Sequence, residues 1–160
     1  MEPVTQQIMK IIITAVGKLK DDNIKALISE YIKRTPWSIK IVEVESSTKS
    51  KNPEVLKLEE EKNILEKIPA GYFKIALDER GNLPSSEEFA RSLAKISTNQ
   101  TGNIAFILGG SDGLSENIRR SANMVISLGK MTYPHMLARL LLVEQLYRSY
   151  MIIEGRSYHK

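Results

Sequence analysis

Short apolar runs alternate with amphipathic helical stretches along most of this chain, and that alternation restricts the possible folds more than any other feature. Residues 10–16 (KIIITAV), 38–45 (SIKIVEVE), 72–77 (YFKIAL), 104–108 (IAFIL) and 124–128 (MVISL) read as strands. The second mixes apolar residues with charges, as a strand near a sheet edge does. Helical patterns fall between them, the first between Asp21 or Asp22 and Pro36 and the others at about 54–67, 85–96 and 115–123. In the first, Ile24, Leu27, Ile28, Tyr31 and Ile32 share one face, Asp21 or Asp22 can cap it, and Pro36 stops it. The second is a charged helix, expected to be a solvated face that carries no chemistry. In the third, Ser85 and Glu88 stand at reciprocal capping-box positions. Strand and helix alternating at least four times predict an α/β fold: a mostly parallel sheet with helices on both faces.

At 160 residues the chain reads as a single domain over 1–160, with residues 1–8 a patternless extension. The absence of cysteine excludes a disulfide framework and thiolate-held zinc or iron–sulfur sites. Two histidines, His135 and His159, leave little from which to build a histidine site, so no metal is expected. No apolar run approaches the length of a membrane span and no signal peptide is visible, so a cytoplasmic protein without a membrane partner is expected. The formal charge of +4 permits a nucleic-acid partner without requiring one.

Residues 104–114, IAFILGGSDGL, carry the strongest local signal. A buried strand that runs into glycines just before a helix is where α/β proteins commonly seat small molecules. The same residues also suit a tight strand-to-helix turn with no ligand. Three strand ends, at Leu77, Gly109 and Leu128, are expected on one rim of the sheet, which strengthens the case for a ligand. The loop SSTKSKNP, residues 46–53, reads as solvated, or as a basic cover over an anionic substrate, with a helix start at Asn52-Pro53.

The last third begins with the loop GKMTYP, residues 129–134, and continues as a long helix from about His135 to Ile153. Its apolar residues wrap most of the way round the cylinder, more than one sheet-facing stripe needs. Either the helix is central to the monomer or its second surface is a homodimer interface, and the latter is expected. Arg139 and Arg148 interrupt this surface, as rim ion pairs or facing a phosphate. Glu144 and Arg148, four apart, can pair along the helix. The tail, residues 154–160, collects Arg156, Tyr158, His159 and Lys160.

GGSDGL after a strand, TYPH leading into a helix with RLLLVEQLYRSY, and a terminal YHK resemble the bacterial 23S rRNA pseudouridine N3-methyltransferase family, small enzymes of the SPOUT class. The resemblance covers residues 9–160. It implies an α/β sheet with a deep C-terminal trefoil knot, a homodimer, S-adenosyl-L-methionine as cofactor, and 23S rRNA on an assembled ribosome as substrate. It further implies that Leu77, Gly109, Gly110, Gly129, Lys130, Met131, Thr132, Tyr133 and Pro134 line the cofactor site. Tyr158, His159 and Arg139 fall on the family's catalytic positions, and His135 falls on its histidine after proline, where capping or packing is the expected part. Lys160 departs from the arginine with which the family often ends, keeping charge but losing the bidentate fork. Nothing in the hydrophobic pattern predicts a knot; it enters through the resemblance alone. For methyl transfer to a ring imide nitrogen, the candidates to assist are His159 as a general base, or Arg139 and Lys160 as cations that stabilise the developing anion.

Overall fold

The computed structural model describes residues 8–45, 49–99, 102–110 and 113–159. Most of the expected extension (1–7), Ser46 to Thr48 of the basic loop, Ser111-Asp112 of the glycine turn, and Lys160 lie outside the described residues, as does the His159 side chain.

Five strands and five helices follow one another in chain order: β1 (Lys10–Val16), α1 (Asp22–Arg34), β2 (Ser38–Val44), α2 (Pro53–Glu66), β3 (Phe73–Asn82), α3 (Ser86–Asn99), β4 (Asn103–Leu108), α4 (Glu116–Ser121), β5 (Met124–Ile126) and α5 (His135–Ile153), with a closing 3₁₀ turn at Ser157–His159. The strands form one sheet in the order β2-β1-β4-β3-β5. Every pairing is parallel, with Ile13 opposite both Ile41 and Phe106, and Leu77 opposite Leu108. The half-charged β2 lies at an edge, as its alternation requires.

Side chains alternate across the sheet and so build two cores. On one face Ile11, Ile13, Ile75, Ile104 and Phe106 meet Ile28 of α1, Phe89 and Leu93 of α3, and Leu142, Val143 and Leu146 of α5. On the other, Val44, Ala76 and Ile107 meet Ile64 of α2 and Ile118 of α4. Thr14, buried on the interior strand β1, donates its hydroxyl to the Phe106 carbonyl at 2.9 Å and so leaves no polar group unpaired there.

The helix starts have the expected chemistry. Asp21 accepts from the Ile24 N–H at 3.0 Å, and Asn52 accepts from the Glu54 N–H at 3.0 Å with Pro53 in the first turn. Ser85 and Glu88 bond reciprocally, at 3.1 and 3.3 Å.

Several expectations are corrected. β3 does not end at Leu77 but continues to Asn82, because Asn82 resumes pairing with β5 at Ile126. β5 and α4 are shorter than their patterns, ending at Ile126 and Ser121. The helix α2 is not merely a solvated face, since its Glu61 is 6% exposed and bonded to Ser115. Finally, α5 packs against both α1 and α3, so part of its all-round apolar surface is covered within the chain.

Candidate active site at the carboxyl rim

Because every strand is parallel, every strand-to-helix loop after a carboxyl end opens on one rim. A cavity of about 320 Å³ lies there, over the ends of β3, β4 and β5. Of the residues expected at the cofactor site, Leu77, Gly109, Gly110, Gly129, Met131, Thr132 and Tyr133 line it, and so does His135; Lys130 and Pro134 do not. The glycine turn and the GKMTYP loop therefore form opposing walls of one space.

The glycine wall folds tightly on itself. The Gly113 N–H donates to the Gly110 carbonyl at 3.0 Å. A Cβ at Gly109 would lie 2.8 Å from the Gly113 carbonyl oxygen, so no larger residue fits without moving backbone. The other wall is fixed at its root by Ser127, whose hydroxyl donates to the Gly129 carbonyl at 2.7 Å.

Sequence reasoning missed the third wall. Asp78, Glu79 and Arg80 line the cavity, although DERGN has the composition of a plain polar turn. The pairing of β3 with β5 is irregular between Leu77 and Asn82, and the intervening residues leave the ladder toward the cavity. Gly81 permits this: a Cβ there would come within 2.7 Å of the Ile126 backbone. The signal available in the sequence was this glycine three residues after a strand-end aspartate.

Asp78 and Arg80 form a bidentate pair, with Nε–Oδ1 at 2.7 Å and Nη2–Oδ2 at 2.9 Å. The Arg80 N–H adds a third bond to Oδ1 at 3.0 Å, and Nη2 also donates to the Leu114 carbonyl at 3.1 Å. Burial pushes the Asp78 carboxyl up. The Arg80 side chain, its backbone N–H and its charge outweigh that, with the Leu114 amide, and hold the group below the usual carboxylate range.

The helix α5 begins at the cavity, with His135 and Ala138 in the lining and Pro134 at the cap position. Arg139 is not in the lining. It is 2% exposed and turned toward β2 and β1, where Nη1 donates to Glu43 Oε2 at 2.7 Å and Nη2 to the Gly17 carbonyl at 3.2 Å. Its Nε is buried with no partner among the described residues. Glu43 also accepts from the Leu19 N–H at 2.6 Å. Burial raises the Glu43 carboxyl, but the Leu19 amide and Arg139 together take it below its ordinary value.

The described residues of the tail lie elsewhere. The chain reverses at Gly155 (φ +69°), where the Gly155 and Arg156 N–H groups cap the Ile152 and Met151 carbonyls. The 3₁₀ turn then lays Tyr158 on α5, its ring 4.6 Å from that of Tyr147 and 5.0 Å from the Arg148 guanidinium. Its hydroxyl is 3.4 Å from Glu144 Oε1 and from the Tyr31 hydroxyl. Glu144 is itself held by Arg148 at 2.6 Å, so the expected pairing along the helix is present. Burial first, then the Tyr31 hydroxyl and Glu144, push the Tyr158 phenol up to about 12. Ala138 and Tyr147 are nine residues apart on α5, roughly 13 Å along its axis. Tyr158 is therefore not brought to the cavity of its own chain.

Among the described residues no cluster of acidic or histidine side chains can hold a metal ion, and no helix is long and apolar enough to cross a membrane.

The chain is similar to known methyltransferases over its whole described length. Residues 9–159 match a family model described as "Predicted SPOUT methyltransferase". Proteins named ribosomal RNA large subunit methyltransferase H are similar to it at 39% identity in Rhodospirillum centenum, 43% in Lactococcus lactis and 44% in Listeria monocytogenes. Each alignment covers 95% of this chain and 99–100% of the relative. Among solved structures, a probable methylase family protein from Haemophilus influenzae superposes with a TM-score of 0.57 at 15% identity, covering 96% of this chain and 72% of that one. TrmJ from Zymomonas mobilis superposes at 0.53 and 12% identity, covering 89% and 70%. These structural likenesses concern the fold, whereas the family match and the full-length relatives concern descent: the chain belongs to the SPOUT methyltransferase family, alongside the proteins named ribosomal RNA large subunit methyltransferase H.

Proposed function

We propose that this protein transfers a methyl group from S-adenosylmethionine to N3 of a pseudouridine in 23S rRNA, acting on assembled ribosomes in the cytoplasm as a knotted homodimer. The observation that carries the reading is the meeting of the glycine turn and the GKMTYP loop across one cavity in a chain of this family.

The lining suits the proposed donor better than a phosphate. Leu77, Leu108 and Leu128 offer apolar surface to an adenine, and the glycine backbone offers N–H and C=O groups at close range. The one arginine in the lining, Arg80, is neutralised by Asp78, and Glu79 adds negative charge. That balance favours a cation over an anion. When bound, the donor supplies an electrophilic methyl on a sulfonium. Around it, Gly109, Gly110, Gly129, Met131, Thr132 and Tyr133 hold and orient, which is the larger part of accelerating a displacement. Lys130 and Pro134 belong to the same wall by sequence and support it from outside the lining.

The ring imide must lose its proton, and His159 is the proposed base, with Lys160 as the cation beside the developing anion. Tyr158 anchors the tail that carries them. The ion pair to Glu43 supports a positioning part for Arg139, which ties the start of α5 to the loop after β1. The distance of Tyr158 from the cavity of its own chain supports completion of each site by the tail of a second copy.

Radiolabelled methyl transfer to ribosomes, to free large-subunit rRNA and with His159→Ala tests the reading. Label on ribosomes, lost in the variant, is expected. Absence of transfer to every ribosomal substrate would refute it.

A further inference from the structure

Glu61 has the burial of a core residue and the chemistry of a surface one. It sits on α2, on the face of the sheet opposite α5, and 6% of it is exposed. Its Oε2 accepts two bonds from a single residue, from the Ser115 N–H at 3.0 Å and the Ser115 hydroxyl at 2.7 Å. Burying a carboxylate is costly unless its bonds do something specific. Here they fall on the residue that ends the glycine turn and opens α4, where the Ser115 hydroxyl caps the Ile118 N–H at 3.2 Å.

The residue before it is held from the other side. The Leu114 carbonyl accepts from Arg80, its amide meets Asp78, and its side chain is 1% exposed in the second core. Two adjacent residues are thus gripped by charged groups from two different elements, Glu61 of α2 and the Asp78–Arg80 pair of β3. The turn they terminate has no side chain of its own at Gly109, Gly110 or Gly113 to hold its shape.

We infer that Glu61 is a positioning residue for the donor site, acting with Asp78–Arg80 as a two-sided clamp that presets the wall formed by Gly109, Gly110 and Gly113 before any ligand arrives. The inference rests on the donor-site reading above. A glycine wall left to itself samples many backbone states, and a ligand that selects one of them loses affinity in proportion. The clamp removes that loss. Since one oxygen accepts both bonds, the carbonyl oxygen of a glutamine can replace it, whereas alanine cannot.

Calorimetric titration with S-adenosylhomocysteine, paired with hydrogen exchange, tests this on the full-length protein. Glu61→Ala is expected to weaken binding by about tenfold or more, because two hydrogen bonds to one buried acceptor are lost. Glu61→Gln should stay within about threefold of wild type for the reason just given. Exchange should quicken in Glu61→Ala at residues 109–116 and not in β1 or α5. Should Glu61→Ala fail to fold, Ser115→Ala, which keeps the N–H bond, is expected to show a smaller loss of the same kind. A folded Glu61→Ala or Ser115→Ala protein that binds as wild type would overturn the inference, as would equal losses in Glu61→Ala and Glu61→Gln. Wild-type protein that fails to bind S-adenosylhomocysteine would instead remove the donor reading on which the inference stands.

Discussion

Asp78 shows how one carboxylate can serve both the site and the stability of the chain. It lines the cavity yet is 3% exposed at its side chain, and it stays charged because Arg80 meets both of its oxygens. Its depressed pKa means that the folded state binds the proton less readily than the unfolded chain does. The stability it contributes is therefore present above the ordinary carboxylate value and is lost as pH falls through that value toward the folded one. Asp78→Asn should lower unfolding stability by about 1–2 kcal/mol at pH 7, and the gap between urea melts of the two proteins should narrow as pH falls below the ordinary carboxylate value. A gap as wide at pH 3 as at pH 7 would show that the carboxylate charge is not what stabilises. Arg139 differs in having no contact with the cavity. Arg139→Ala should cost about 2 kcal/mol, less than a fully buried pair, because Glu43 keeps 34% of its side chain exposed. Urea denaturation measures this, and S-adenosylhomocysteine affinity, read on the folded variant, separates a positioning part from a purely structural one.

Among the elements, β3 decides where the site is. Up to Leu77 it is an ordinary buried strand, legible in YFKIAL from its β-branched and aromatic residues. Beyond Leu77 it is an interrupted strand whose irregularity turns Asp78, Glu79 and Arg80 into the cavity. Composition alone cannot show this, because DERGN is equally a turn; only the approach of β5 to Gly81 makes it a strand, and that approach is a tertiary fact. The same holds for Glu61. A glutamate in the run EEEK reads as solvent-facing, and what buries it is the arrival of Ser115 from 54 residues away. By contrast, the parallel sheet, the edge position of β2, the caps at Asp21, Asn52 and Ser85, and the extent of α5 were readable, since each depends on local pattern or on chain-neighbour chemistry. Of the seven expected cofactor residues that line the cavity, Leu77, Gly109 and Gly110 are readable as strand ends and a glycine turn on one rim, whereas Gly129, Met131, Thr132 and Tyr133 are legible only through the family resemblance, which carries spatial information that periodicity lacks. Gly81→Ala tests the β3 argument. With backbone atoms 2.7 Å from the added Cβ, β3 and β5 must separate, and a loss of about 2–3 kcal/mol in stability is expected by thermal or urea melting. Donor affinity should fall with it, because Asp78 and Arg80 shift; a melt within error of wild type would mean the two strands part at little cost.

At the scale of the whole molecule, apolar surface is uneven. Met131 is 78% exposed, Tyr133 39%, Leu137 38% and Leu83 49%. Met131 and Tyr133 line the proposed donor cavity. Tyr133 also lines a smaller cavity of about 190 Å³ with Pro84 and Leu141, next to Leu83 and one helical turn from Leu137. Exposed apolar groups gathered at the mouth of a site mark a surface that something covers. Under the proposed reading that cover is a second copy, and two facts of the chain fit it: α5 starts at this mouth, and Tyr158 of the tail lies two turns or more from its own cavity. Three consequences follow from one arrangement. Wild-type protein should sediment as a dimer, and Leu137→Arg, which puts a charge into the covered surface, should sediment as a monomer. The monomer should retain S-adenosylhomocysteine binding within about threefold, since no wall of the cavity changes, yet lose methyl transfer because no partner tail reaches it. Mixing a chain truncated after Gly155 with a full-length chain carrying Gly109→Val should restore transfer in the mixed dimer, where one cavity meets one intact tail. Separately, each parent should be inactive, the first for want of a tail and the second because a branched side chain at Gly109 closes on the Gly113 carbonyl. Transfer by the Leu137→Arg monomer at the wild-type rate, or mixed dimers no more active than their parents, would place the whole reaction within one chain and require Tyr158 to leave α5 for each turnover.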